Sequence, residues 1–271
     1  MIRMIALDLD DTLLRSDLTI SYRTKKAVQK AVAEGVSIVL ASGRAPAAMK
    51  KYVKTLSMHK RNEYLICNNG ALVMESGTNS IVYEATLPVE TALAAYDLCS
   101  AEGFAVQVYE NDIMYVSKTN EFTMYDQKLT GLKQVVAEDF RSLVAKGCYK
   151  LLIPGDPMIL QPLESILNTY LGESATLFTS KPYFLEILPP NTNKGTALEI
   201  VSKKLGVLRE EIAAVGDSMN DEAMLRWAGL GVAMKNGDER IKKIAGMVSD
   251  KTNDDDGAAF VIEKLMERRL K

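Results

Sequence analysis

Three carboxylates follow the first apolar run of the chain. Residues 4–7 are apolar, and Asp8, Asp10 and Asp11 come within the next four positions. The run is long enough for one buried strand and too short for a helix or a membrane span. Side chains alternate along a strand, so Asp8 and Asp10 point the same way if the strand continues that far. Two carboxylates that close repel unless a cation lies between them or one is protonated. The spacing therefore favours a metal site, with a simple Asp-Asp-Thr turn as the alternative.

Three more polar groups stand at expected strand ends or helix starts. They are Ser42 with Gly43, then Lys194, then the run from Gly216 through Asp217, Asn220 and Asp221. Each has an ordinary structural explanation: a turn, a solvated lysine, or a turn with a helix N-cap. A lysine at a helix start opposes the helix dipole, however, and so costs a little stability.

Together these groups match the needs of phosphoryl transfer. A carboxylate can attack phosphorus and form an aspartyl-phosphate. Asp8 and Asp217 are the obvious ligands for the divalent cation that this requires, and few protein ligands with several waters suit Mg²⁺. Ser42, Gly43 and Lys194 supply donors for the phosphate oxygens, with the first two expected at a helix N-terminus. Asp10 is placed to protonate the leaving oxygen and then to activate water.

Composition excludes several classes of function. The chain has 271 residues, 47% of them hydrophobic, and a net charge of −2, so nothing favours nucleic acid or an anionic membrane as a partner. The three cysteines lack a Cys-x-x-Cys spacing and fit reduced thiols. With one histidine, His59, expected at the surface, a histidine-based zinc site or a Ser-His-Asp triad is close to excluded. No signal peptide or membrane span is found, so we expect a cytoplasmic protein.

The elements that must position these residues alternate between strand and helix. The pattern predicts strands at 4–7, 36–41 and 64–67 and helices at 23–34 and 45–56, which is typical of a doubly wound parallel sheet. The same rhythm resumes after 194, with a helix at 194–205, a strand at 212–215 and a last helix from Ala258 to about Arg269. In such sheets ligands bind beyond the carboxyl ends of the strands.

The intervening segment has a different rhythm. Strands are expected near 104–109, 113–117, 149–153, 175–179 and 183–187, and helices near 88–102 and 156–170, with helical stretches within 119–145. Strand pairs separated by short turns favour an antiparallel sheet with helices on one face. The fold prediction is an α/β protein: a Rossmann-like core from residues 1–83 and 189–271, interrupted by an α+β domain at 84–188.

The combined motifs resemble those of the haloacid dehalogenase (HAD) superfamily. Asp8-Leu9-Asp10-Asp11-Thr12, Ser42, Lys194 and Gly216–Asp221 occur in that family's order, and Ala41–Arg44, Asn68–Ala71 and Asn193–Gly195 are similar to its Cof-type phosphatases (subfamily IIB). The resemblance covers the whole chain and implies a core that carries the chemistry under an α/β cap that sets specificity.

The resemblance also implies roles for single residues. Asp8 would be the nucleophile and a Mg²⁺ ligand, Asp10 the general acid and base with a backbone carbonyl on the metal, and Asp217 the third metal ligand. The residues that would hold the phosphate are Leu9 (through its backbone), Ser42, Gly43, Lys194 and Asn220; those that would support them are Thr12, Arg44, Asn69 and Asp221. The loop from Asp254 to Gly257 lies where the family has a loop near the site, although helix capping explains it equally well.

The leading hypothesis is a Mg²⁺-dependent phosphatase of small phosphorylated metabolites such as sugar phosphates, acting as a monomer or weak homo-oligomer. A phosphomutase of the same superfamily would return the phosphoryl group to a sugar, and dependence on a hexose bisphosphate would reveal it. A non-catalytic phosphate-binding protein is the third alternative, and measured turnover would remove it. A glycosyltransferase with an Asp-x-Asp motif explains neither Lys194 nor the run from Gly216 to Asp221.

Overall fold

The computed structural model describes residues 1–61 and 63–267 and divides the chain into two units. Unit 1 comprises Met1–Gly43, Met49–Tyr83 and Asn193–Lys271 and unit 2 comprises Arg44–Ala48 and Glu84–Thr192, of which only the described residues are discussed. The strands are β1 Met4–Asp8, β2 Ser37–Ala41, β3 Tyr64–Cys67, β4 Leu72–Glu75, β5 Ile81–Glu84, β6 Gln107–Glu110, β7 Ile113–Val116, β8 Lys133–Val136, β9 Leu151–Pro154, β10 Thr176–Lys181, β11 Phe184–Leu188, β12 Ile212–Gly216, β13 Leu230–Ala233 and β14 Met247–Val248. The α-helices are α1 Tyr22–Ala33, α2 Pro46–Thr55, α3 Val89–Ala101, α4 Glu121–Thr130, α5 Phe140–Val144, α6 Pro157–Leu171, α7 Lys194–Leu205, α8 Glu222–Trp227, α9 Glu239–Ile244 and α10 Gly257–Glu267. The predicted end of the last helix at Arg269 lies outside the described residues.

Unit 1 contains one eight-stranded sheet. Its strand order is β14-β13-β12-β1-β2-β3-β4-β5. The pairs from β14 to β3 are parallel, and β3 pairs antiparallel with β4. The parallel sheet is confirmed, and β1 lies between β2 and β12. The carboxyl ends of these three neighbouring strands therefore lie together at one edge.

The core of unit 1 covers both faces of β1. Met4 and Ala6 belong to an apolar cluster with residues of α7 and α8, while Ile5 and Leu7 are equally inaccessible to solvent. Burial on both faces explains why the strand reads as a continuous apolar run. The apolar run ends at Asp8. A buried carboxylate of this kind is stable only when hydrogen-bond donors or opposite charges lie next to it.

Unit 2 contains a six-stranded sheet in the order β10-β11-β9-β6-β7-β8. Helices α3, α5 and α6 pack an apolar cluster against one face, as the sequence predicts. The helical stretches expected within 119–145 are α4 and α5, but the sequence interpretation missed β8, which lies between them. β8 also pairs parallel with β7 in a sheet whose other described pairs are antiparallel. Residues 133–136 lie at the sheet edge and are only partly buried, so they lack the strong apolar signal of a central strand.

Other sequence predictions concern the surface and the cysteines. Cys67, Cys99 and Cys148 are free and buried, and His59 is exposed. Within the described ranges, no helix combines the length and the apolar character that crossing a bilayer requires.

Candidate active site

The acidic turn begins where β1 ends. Asp8 is the last residue of the strand, and 4% of its surface is exposed. Asp10 lies beyond the strand, and Asp11 adopts a left-handed conformation with φ of 57°. Aspartate enters this region more readily than most residues. Leu14 N donates to Leu9 O at 2.8 Å and closes the turn. The strand ends at Asp8, two residues before Asp10, so the turn and not the strand alternation positions Asp10.

Lys194 is the first residue of α7 and is completely buried. Asn193 caps the helix, because its Oδ1 accepts from Gly195 N and Thr196 N, each at 2.9 Å. The Lys194 Nζ donates to Asp8 Oδ1 and to Asp221 Oδ1, each at 2.6 Å. Burial alone lowers the pKa of this ammonium, but the carboxylates of Asp221 and Asp8 outweigh burial and hold the pKa above its ordinary value. The solvated-lysine explanation is therefore wrong.

The end of β12 positions Asp217 and Asp221. Asp221 Oδ2 accepts from Asp217 N at 2.9 Å and from Ser218 N at 3.2 Å. Gly216 allows this close turn, since a Cβ there would lie 2.5 Å from Asp221 Cγ. Asp217 Oδ1 accepts from Thr12 Oγ1 at 3.1 Å, which links the β12 loop to the acidic turn after β1.

Asp8, Asp217 and Asp221 form a buried acidic cluster. Each offers a carboxylate oxygen, and the three oxygens lie within 4.8 Å of one another. The pKa of Asp8 is held well above its usual range, first by burial and then by repulsion from Asp221, Asp217 and Asp10, with Lys194 acting in the opposite direction. One ammonium therefore does not balance this negative charge.

The donor set of this cluster fits a divalent metal ion. Both oxygens of Asp221 already accept hydrogen bonds from Lys194 and from backbone amides. The sequence interpretation names Asp8 and Asp217 as the side-chain ligands, and that assignment stays a prediction. The cluster can bind a metal ion.

The loop after β2 contains Ser42 and Gly43. Asn69 N donates to Ser42 O at 3.0 Å. A Cβ on Gly43 would lie 2.8 Å from Asn69 Nδ2, so a larger residue would displace that amide. Asn220 Nδ2 in turn donates to Asn69 Oδ1 at 3.1 Å. Asn69 therefore joins the β2 loop to the β12 loop.

The position of this loop relative to helix α2 differs from the sequence expectation. Helix α2 begins at Pro46, three residues beyond Gly43, so Ser42 and Gly43 lie in a loop and not at the N-terminus of the helix. Ser42 N donates to Ile66 O at 2.8 Å. Arg44 groups with unit 2, where its Nη1 donates to Leu129 O at 2.7 Å. The other predicted site residues all lie in unit 1, at the ends of β1, β2, β3 and β12 and the start of α7.

Two asparagines that the sequence interpretation missed support the acidic turn. Asn236 Nδ2 donates to Asp11 O at 2.7 Å, and Asn253 Nδ2 donates to Leu14 O at 3.0 Å. Asn253 N also donates to Asn236 Oδ1 at 3.0 Å, so the two are coupled. The available sequence signals were an Asn-Gly pair at 236–237 and an Asn at the start of the acidic loop, both of which also mark ordinary turns.

The loop that follows Asn253 is bound to the chain beyond the acidic turn. Asp254 Oδ1 accepts from Ser16 N at 2.8 Å, and Asp254 Oδ2 accepts from Ser16 Oγ at 2.6 Å. Arg15 Nη2 donates to Asp254 O at 2.6 Å. The loop therefore holds Arg15 and Ser16, the residues that follow the acidic turn.

Comparison with known proteins identifies the family. A family model for haloacid dehalogenase-like hydrolases matches residues 5–262. The chain belongs to this family. The resemblance predicted from the motifs is thus confirmed.

Relatives and solved structures agree over the full length. Phosphatase YwpJ of Bacillus subtilis is 28% identical, with 97% of this chain and 100% of the relative covered. The 5-amino-6-(5-phospho-D-ribitylamino)uracil phosphatase YcsE of the same organism is 28% identical, with 96% and 94% covered. The crystal structure of a haloacid dehalogenase-like hydrolase from Bacteroides thetaiotaomicron has a TM-score of 0.91 at 31% identity and covers 98% of this chain and 100% of that one. This family member is accordingly a phosphoric monoester hydrolase with a HAD-type fold.

Proposed function

We propose that this chain is a Mg²⁺-dependent phosphatase that hydrolyses small phosphorylated metabolites, such as sugar phosphates, through an aspartyl-phosphate on Asp8. The observation that carries the proposal is the fully buried Lys194, which bridges Asp8 and Asp221 at 2.6 Å beside Asp217. A buried ion pair is weak evidence for stability, because an apolar replacement is often as stable. The arrangement therefore fits a catalytic role better than a structural one.

The first chemical step uses two carboxylates of the acidic turn. An oxygen of Asp8 attacks phosphorus, and the bond between phosphorus and the leaving-group oxygen breaks. Asp10 gives its proton to that oxygen, so the product leaves as an alcohol.

The second step regenerates the free enzyme. Asp10, now ionised, takes a proton from water, and the resulting hydroxide attacks the phosphorus of the aspartyl-phosphate. The bond between phosphorus and the Asp8 oxygen breaks, and inorganic phosphate is released. Asp8 and Asp10 thereby return to their starting protonation states.

The remaining residues hold the phosphoryl group and its charge. Ser42, Gly43, Asn220 and the Leu9 backbone would donate to the phosphate oxygens, with Lys194 as the cationic donor. Asp8, Asp217 and the Asp10 carbonyl would hold Mg²⁺, whose charge offsets repulsion between the phosphate and the carboxylates.

Supporting side chains keep these groups in place. Thr12 binds Asp217, Asp221 binds Lys194, and Asn69 binds Asn220. Such fixed geometry lowers the cost of assembling the reacting groups.

The two parts of the chain would divide the work. Residues 1–83 and 189–271 would carry the chemistry, and residues 84–188 would select the substrate. YcsE, by its name, acts on a phosphorylated ribitylamino compound, which supports a phosphorylated polyol or sugar as the substrate here. We place this enzyme in the cytoplasm as a monomer or a weak homo-oligomer.

The test is phosphate release from a panel of sugar phosphates, nucleotides and an aryl phosphate, with Mg²⁺ or with chelator. Asp8→Asn should abolish release, and Asp10→Asn should lower kcat about 10²- to 10⁴-fold while the aspartyl-phosphate accumulates. Asp11→Asn is the matched control, because it removes the same charge from the same turn and asparagine tolerates the left-handed conformation.

Several outcomes would overturn the proposal. Undiminished release by folded Asp8→Asn protein would exclude Asp8 as the nucleophile. Release that is unaffected by chelator would exclude the metal requirement. Release only in the presence of a hexose bisphosphate would identify a mutase instead.

A further inference from the structure

The start of α7 is packed closely by backbone atoms on both sides of Lys194. A Cβ added at Gly70, in the loop after β3, would lie 2.3 Å from the carbonyl oxygen of Asn193. A Cβ added at Gly195 would lie 2.6 Å from the carbonyl oxygen of Ala223 in α8. Non-bonded atoms pack at about 3.5–4.0 Å, so neither approach is possible for a residue with a side chain. The packing therefore requires glycine at both positions.

The loop that contains Gly70 has an unusual backbone. Asn68, Asn69 and Gly70 follow one another with φ of 48°, 53° and 105°. Non-glycine residues stay in the left-handed region only where the surrounding structure holds them there. Asn69 is held by its donation to Ser42 O at 3.0 Å and by the donation it accepts from Asn220 Nδ2 at 3.1 Å. The loop thus joins the β2 and β12 loops to the start of α7.

The contact between Gly195 and α8 sets Lys194 relative to its partner Asp221. Ala223 follows Asp221 by two positions, and Lys194 Nζ donates to Asp221 Oδ1 at 2.6 Å. Gly195 lies in α7 and is not among the residues with positive φ. Alanine is the better helix former at such a position. Local helix propensity therefore does not explain the glycine, whereas the close approach to α8 does.

The ammonium of Lys194 depends on an accurately placed backbone. It is completely buried and donates to Asp8 Oδ1 and Asp221 Oδ1, each at 2.6 Å. A lysine stem is flexible, so the side chain alone does not fix the position of its charge. Hydrogen bonds weaken steeply when their angles depart from linearity. A shift of the first turn of α7 would therefore weaken both contacts.

We infer that Gly70 and Gly195 are positioning residues that fix the backbone of Lys194. The ammonium can then reach both Asp8 and Asp221. This inference rests on the proposed phosphatase function, in which the same ammonium donates to the phosphate. A glycine has no side-chain group that could take part in the reaction, so each of the two acts through Lys194.

The first test observes the Lys194 ammonium by NMR in protein that is isotopically labelled at the lysine side-chain nitrogen. The signal of Lys194 is the one that disappears in Lys194→Met. Gly70→Ala and Gly195→Ala should each shift this signal, because the geometry of its two hydrogen bonds changes. Gly35→Ala is the matched control, since Gly35 has φ of 80° and an added Cβ would meet no heavy atom of the described residues within 4 Å, its chain neighbours aside. It should leave the signal at the wild-type position.

The second test is a double-mutant cycle that measures kcat/KM on 4-nitrophenyl phosphate. Gly195→Ala should lower kcat/KM about tenfold to 10²-fold, because a displacement of about 1 Å can cost this much. In the Lys194→Met background the same substitution should change kcat/KM by about twofold or less, because the group that Gly195 positions is gone. Gly35→Ala should keep the wild-type kcat/KM.

Gly195→Ala keeps the inference testable if Gly70→Ala does not fold, because alanine is compatible with the helical backbone at this position. An unshifted ammonium signal in folded Gly195→Ala protein would overturn the inference. Equal losses of kcat/KM in the wild-type and Lys194→Met backgrounds would also overturn it, since they would show an effect that does not pass through Lys194.

The NMR measurement separates this inference from the proposed function, because it needs no turnover. Wild-type protein that releases no phosphate from any substrate, with a Lys194 signal that Gly195→Ala shifts, would support the positioning and count against the phosphatase proposal. Phosphate release by wild type, with a Lys194 signal that neither glycine substitution shifts, would overturn the positioning alone.

Discussion

Replacing Lys194 with methionine tests whether its charge holds the acidic cluster together. Methionine has a similar length and no charge. In Lys194→Met, the carboxylates of Asp8 and Asp221 lose their shared donor at 2.6 Å, and both stay buried. We expect large losses of both stability and activity.

The magnitude follows from the two buried contacts. Unit charges 4 Å apart attract by about 4 kcal/mol at an effective dielectric constant of about 20. Desolvation opposes this attraction, and removing one partner of a buried pair costs about 3–5 kcal/mol in practice. We therefore expect the free energy of unfolding to fall by about 3–5 kcal/mol. Loss of a preorganised cation at the phosphate should lower kcat/KM about 10²- to 10³-fold.

The assay is urea unfolding followed by circular dichroism, with kcat/KM measured on an aryl phosphate. Lys203→Met is the matched control, because Lys203 lies on the same helix in a pair with Glu199 and is 74% exposed. It should change stability by about 0.5 kcal/mol or less. In the Asp221→Asn background, Lys194→Met should cost much less, since one buried charge has already been removed. A loss below about 1 kcal/mol for Lys194→Met alone would refute the charge-balance argument.

Two further predictions concern residues away from the reacting atoms. Glu63 is buried and accepts from Ile38 N at 2.7 Å, and burial raises its pKa, so its contribution to stability is lost as pH rises through that pKa. Glu63→Gln should therefore unfold at a higher urea concentration than wild type at pH 8 and at the same concentration near pH 4. Exposed Glu173→Gln should show no such pH-dependent difference. A difference in urea midpoint between Glu63→Gln and wild type that is the same at all pH values would contradict this. Asn253→Ala leaves the buried Leu14 carbonyl without its donor and should cost about 1–3 kcal/mol in urea unfolding, against a few tenths for exposed Asn168→Ala; equal losses would disprove the support assigned to Asn253.

The sequence predicted best what depends on local pattern. The apolar runs at β1, β2 and β12 are buried on both faces, so each reads as a strand without knowledge of its neighbours. The carboxyl ends of parallel strands lie at one edge of a sheet. The polar residues at these ends could therefore be predicted to lie together from the sequence alone. Asp8 is the last residue of β1, and Ser42 and Asp217 directly follow its two neighbours, β2 and β12.

The sequence could not predict what depends on contacts between distant residues. Lys194 was predicted as a phosphate donor, but nothing near it in the chain shows that its ammonium is enclosed by Asp8 and Asp221. Asn236 and Asn253 read as turn residues for the same reason. Strand β8 was missed because an edge strand is only partly buried and carries a weak apolar pattern.

The interruption of unit 1 by unit 2 affects the order in which the enzyme can be assembled. β1 can pair with β2 as soon as about forty residues exist, but its other neighbour, β12, comes near the end of the chain. Asp8 and Lys194 are 186 positions apart in sequence. Contacts this remote raise the contact order and slow folding. During synthesis, the Asp8 carboxylate therefore lacks the Lys194 ammonium until α7 has emerged from the ribosome. The acidic cluster is consequently one of the last parts of the molecule to be completed.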